Sequence, residues 1–91
     1  MSKKGKHTTV EKSLRPEIAW LESLTEVKKV ILGISDSCRH SYPPGHLKLQ
    51  GETDGGLRLN GYSGSGVTRV FVRVDEEDRE KIKLAIEDRF Q

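Results

Sequence analysis

In four runs between Val27 and Val74, apolar residues fall at every second position, and β-branched types are prominent among them. Val70, Val72 and Val74 alternate with Arg69, Phe71 and Arg73. Leu57 and Leu59 alternate with Arg58, Asn60 and Tyr62, and Leu47 and Leu49 with Lys48 and Gln50. At the start of the region Val30, Leu32 and Ile34 alternate with Lys29, Ile31 and Gly33. A period of two sends successive side chains to opposite sides of a strand, so each run has one apolar and one polar face. Strands of this kind build an antiparallel sheet that is buried on one side and wet on the other.

The connections carry turn chemistry. Glu52-Thr53-Asp54-Gly55-Gly56 predicts a hairpin, with an Asp-Gly pair suited to positive φ. Ser63-Gly64-Ser65-Gly66 predicts a second turn. Residues 35–45, with two prolines, a glycine and several hydrogen-bonding side chains, predict a long loop between the first two strands.

What covers the apolar face lies at the two ends of the chain. Leu14, Ile18, Leu21 and Leu24 are spaced by four, three and three residues, which predicts a helix over about 13–25. Ser13 can cap it, and Pro16 fits its first turn, where a missing N–H costs nothing. Asp75, whose side chain can cap, opens a second helix near 75–90, with Asp78 at the capping-box position. Glu76, Glu77 and Asp78 stand at its positive end, and Ile82, Ala85, Ile86 and Phe90 form its apolar stripe. The expected fold is an α+β two-layer sandwich, a four-stranded antiparallel sheet with two helices on one face, in the order α-β-β-β-β-α.

Ninety-one residues accommodate one such domain. We expect a basic flexible tail over 1–8 and a single domain over 9–91. One cysteine, Cys38, excludes an internal disulfide and an all-cysteine zinc site. Apolar runs are far too short for a membrane-spanning helix or a signal-peptide core. The expectation is a cytoplasmic protein without a membrane partner, monomeric or weakly dimeric.

The net charge of +2 conceals a polarised chain. Residues 1–26 carry +1, residues 27–74 carry +4 and residues 75–91 carry −3. The outward positions of the expected sheet are Lys29, Lys48, Gln50, Arg58, Asn60, Tyr62, Arg69, Phe71 and Arg73. Five are cationic, two are aromatic and none is a carboxylate. Cations attract phosphates, and rings give unstacked bases a surface to lie on, so the face suits single-stranded nucleic acid, RNA in the first instance. Exposed Arg and Lys also guard sheet edges, and Phe71 and Tyr62 favour strands on propensity alone, so a plain solvated face is the competing reading.

Two other readings remain open. Cys38, His40 and His46, with His7 from the tail, combine thiolate and imidazole in a set suited to zinc, although the spacing matches no standard finger. The acidic last helix offers a surface for a basic protein partner. Catalysis has little support: Ser63, Ser65, His40 and Asp54 follow no nucleophile-elbow or paired-carboxylate pattern. The glycines of 61–66 precede a strand rather than the helix a phosphate loop needs. A non-enzymatic binding domain is the expectation.

Several stretches resemble a small prokaryotic domain family of unknown function described as metal-binding. These are His7-Thr8-Thr9, the Leu14 to Leu24 helix, Val30-Ile31-Leu32-Gly33, Leu47-Lys48-Leu49, Gly55-Gly56-Leu57-Arg58-Leu59 and Gly64-Ser65-Gly66-Val67-Thr68-Arg69-Val70-Phe71-Val72. The resemblance implies a compact intracellular domain without known catalysis, and it points towards a metal. Of the four candidate ligands, His7 sits on the family's recurring histidine position.

Overall fold

The computed structural model describes residues 14–90, apart from the side chains of residues 38–44 and 64–65. Helix α1 covers 14–23, strand β1 runs Val27–Thr53, strand β2 runs Gly56–Val74, and helix α2 runs Glu76–Phe90. A straight strand of 27 residues would span about 90 Å at roughly 3.3 Å per residue. The longest dimension of the molecule is 41 Å, so β1 must bend back on itself. The Val74 N–H donates to the Gly55 carbonyl at 2.9 Å, and Gly56 lies against the Val72 backbone, so the start of β2 runs beside its own end. Each long strand thus supplies two segments: 27–37 and 46–53 from β1, 56–62 and 66–74 from β2.

Their pairing gives the four-stranded antiparallel sheet expected from the sequence, in the order α-β-β-β-β-α. Segment 27–37 pairs with 66–74, from Val27 opposite Val74 to Ser37 opposite Gly66. Segment 46–53 pairs with 56–62, from His46 opposite Tyr62 to Leu49 opposite Leu59, and the pairing runs on to Thr53 opposite Gly56. The two halves of β2 therefore lie in the middle of the sheet and the two halves of β1 form its edges.

Both helices cover one face. Leu14 and Leu21 of α1 and Ile82 and Ile86 of α2 form a single buried cluster with Leu47, Leu57, Leu59, Val70, Val72 and Val74. Val30, Leu32 and Leu49, on the edge segments, are only partly covered. Trp20 meets Phe90 edge to face, 5.8 Å between centroids, and ties α1 to the end of α2. Helix α1 ends two residues before the expected position. The Ser23 hydroxyl donates to the Trp20 carbonyl at 2.6 Å, and the Leu24 N–H reaches Leu21 at 3.1 Å, a three-residue closure that tightens the last turn. At the start of α2 the Asp75 carbonyl accepts from the Asp78 N–H at 2.9 Å. The Asp75 carboxylate, expected as a cap, instead pairs with Lys28 at 3.2 Å.

Residues 35–45 do not form the expected loop. They continue β1, with Ser35, Asp36, Ser37 and Tyr42 paired to Thr68, Val67, Gly66 and Gly64. Between Ser37 and His46 the outer strand spends nine residue steps against four on β2, from Gly66 to Tyr62. The surplus is what the longer outer path around the bend requires. The two prolines and Gly45 lie on that path. Gly45 has φ +74, and a Cβ there would sit 2.7 Å from the Glu17 carboxylate of α1, so the position suits glycine twice over. On the inner path the turn expected at 63–66 is a bend within β2. At the hairpin tip only Gly55 is left-handed, with φ +86.

Ile34 is another correction. Alternation assigns it to the core, but it is 71% exposed. A register shift between Leu32 and Ser35 inserts an extra residue and turns Ser35 inward instead, where its hydroxyl shares a 2.6 Å hydrogen bond with buried Thr68.

Candidate nucleic-acid interface

The helices leave the second face of the sheet uncovered. Lys29, Lys48, Gln50, Arg58, Arg69 and Arg73 are exposed on it, and Asn60 and Phe71 are half-buried. Tyr62, expected among them, is buried. Its hydroxyl accepts a 3.1 Å hydrogen bond from Asn60 Nδ2, and its ring lies 6.2 Å from that of His46, which in turn meets Phe90 at 6.0 Å. Tyr62 is therefore a support beneath the surface rather than an open stacking ring.

The centre of the face is concave. A groove of about 470 Å³ is lined by Ile31, Gly33, Gln50, Arg58, Leu59, Asn60, Arg69, Val70 and Phe71, drawn from all four strand segments. Ile31 lies opposite Phe71 in the register and the two make its apolar floor. Gly33 keeps the floor low: a Cβ there would come 3.2 Å from Arg69 Cβ. Gly51, opposite Arg58, leaves room for that side chain, whose guanidinium nitrogen would lie 3.1 Å from an added Cβ. Ile31 and Gly33 are absent from the site inferred by sequence. Their shared parity with Lys29 was the available signal, and the cross-strand partners that make a groove of them were not visible.

Charge divides the two faces. On the helix side four ion pairs tie separate segments together: Lys81 to Glu26 at 2.6 Å, Lys83 to Glu52 at 2.9 Å, Arg79 to Glu52 at 3.6 Å, and Lys28 to Asp75, while Lys83 also reaches Glu80 within α2 at 3.6 Å. The Lys81 and Lys83 hydrogen bonds hold the Glu26 and Glu52 carboxyls below their ordinary range, and each lysine is raised in return. Lys29, Lys48, Arg58, Arg69 and Arg73 have no such partner among the described residues. Among the described residues no carboxylate lines the groove. Lys29 stands directly across from Arg73, an arrangement that works against the sheet.

The suggested metal ligands are only partly in view. His7 and the side chains of Cys38 and His40 lie outside the described residues, and His46 packs between Tyr62 and Phe90. Among the described residues no three His, Cys, Asp or Glu side chains converge as a metal group, and no helix is long and apolar enough to cross a membrane. No protein-family model matches this chain, and no curated protein or solved structure matches it either.

Proposed function

We propose that this chain is a non-enzymatic domain that binds single-stranded nucleic acid, RNA in the first instance, across the open face of its sheet. What supports the reading above all is the groove: an apolar floor with a half-buried ring, arginines on its walls and, among the described residues, no carboxylate. An anionic chain laid there gains phosphate contacts from cations that hold no ion-pair partner among the described residues, and a base gains the face of Phe71. The Lys29–Arg73 juxtaposition favours the same reading, because bound phosphate relieves a repulsion that the free protein carries.

The test is titration of short single-stranded RNA, followed by amide shifts and repeated across salt. Shifts should map to Lys48, Gln50, Arg58, Asn60, Arg69, Phe71 and Arg73, and leave Glu77, Glu80 and Glu87 of α2 unmoved. Log affinity should fall with log salt at about −0.7 per phosphate contacted. Phe71→Ala should cost about 1–3 kcal/mol at every salt concentration. Arg69→Ala should instead flatten the slope by one contact. RNA that perturbs only the lysines of the N-terminal tail would sink the proposal.

A further inference from the structure

Attraction of phosphates by arginines is indifferent to sequence, but two of the groove's side chains are not. Gln50 and Asn60 are carboxamides, each with a donor and an acceptor, and both line the same groove as Phe71. Asn60 is anchored. Its Nδ2 donates to the Tyr62 hydroxyl at 3.1 Å, and Tyr62 is itself buried, 7% exposed, against His46. With its Nδ2 turned to the Tyr62 hydroxyl, the amide presents Oδ1 as its acceptor. An amide needed only for solubility has no call for such a support.

We propose that the groove reads one unstacked base: Phe71 and Ile31 take its face, and Asn60, held by Tyr62 and assisted by Gln50, takes its edge. This inference rests on the nucleic-acid reading of the same face. That acceptor favours a base whose edge presents an amino donor. Cytosine offers N4–H₂ where uracil offers a carbonyl oxygen. The groove therefore prefers cytosine, or adenine with its N6 amine, over uracil. In this arrangement Asn60 is a specificity-determining contact and Tyr62 is a positioning residue.

Fluorescence anisotropy with labelled octamers of cytidine and of uridine, at neutral pH and fixed salt, tests this on pyrimidines of equal size. The wild-type chain should bind the cytidine octamer about fivefold or more tightly. Asn60→Leu should bring the two affinities together while retaining binding, since the cations remain. Tyr62→Phe, which removes only the hydroxyl that anchors the amide, should narrow the ratio, and Gln50→Leu, at an exposed position, should narrow it without touching the fold. Thermal melts of each variant show whether the fold is intact; if Asn60→Leu fails to fold, Tyr62→Phe and Gln50→Leu carry the test. Equal binding of both octamers by the wild type would overturn base reading and leave the nucleic-acid proposal standing. A ratio that persists undiminished in folded Asn60 or Tyr62 variants would overturn it too. Failure of both octamers to bind would overturn the nucleic-acid proposal and, with it, this inference.

Discussion

Lys29 and Arg73 are the residues at which stability and binding pull apart. Two cations opposite each other in an antiparallel pair repel, and a complementary pair in their place contributes about 0.2–1 kcal/mol. Lys29→Glu should therefore raise the melting temperature slightly while weakening RNA binding, a trade of function for stability. A variant that loses stability along with binding would show that the pair serves the fold. Tyr62 and Ile34 show how far residue-level reading reaches. Parity alone assigns each of them a face. Tyr62 shares a hydrogen bond with Asn60, its neighbour of the same parity, yet its ring is buried against His46, a residue sixteen positions away in sequence. Ile34 is displaced by a bulge, and nothing in Leu32-Gly33-Ile34-Ser35 announces the extra residue, because a bulge is a mismatch of count between two strands. Arg58, Arg69 and Phe71 were legible because their faces follow from alternation in segments without bulges.

At the scale of elements, α2 and the residue before it are tied by charge to β1 and to the turn that precedes it: Lys83 and Arg79 to Glu52, Asp75 to Lys28, and Lys81 to Glu26. Glu26 and Glu52 have depressed values in the folded state, so their contribution is complete above the ordinary carboxylate range and is lost as pH falls through the folded value. Lys81 and Lys83 are raised, so theirs is complete below the ordinary lysine range and is lost as pH rises through the folded value. Stability should accordingly be flat near neutrality and decline at both ends. A Glu26→Gln, Glu52→Gln double variant should decline less steeply in acid than the wild type, as melting temperatures across the carboxylate range would reveal. Identical acid limbs would mean that these pairs contribute nothing measurable, as many exposed pairs do. The helices and all four strand segments were legible from periodicity. The pairing of 35–45 was not: prolines, glycine and polar side chains signal a loop in isolation, and only the pairing across the bend keeps that stretch within β1.

For the molecule as a whole, the decisive fact is that both helices close one face of the sheet and, among the described residues, nothing covers the other. Leu59 belongs to the closed one, 1% exposed beneath both helices, and Leu59→Ala should cost about 2–5 kcal/mol in denaturant unfolding. An unchanged midpoint would mean the faces are reversed. The doubled-back strands also set an order of assembly. The two central segments meet around a bend of three residues, and 46–53 joins 56–62 through a two-residue turn, so both contacts close short loops. Segment 27–37 must instead find 66–74 across the 28 residues between Ser37 and Gly66, and long loops cost more entropy before they are repaid. Truncations at Val30 or Leu32 should therefore leave the refolding rate almost unchanged and accelerate unfolding, whereas Leu57→Ala should slow refolding. The edge that closes the sheet is the last to arrive, and by the same reasoning the first to leave.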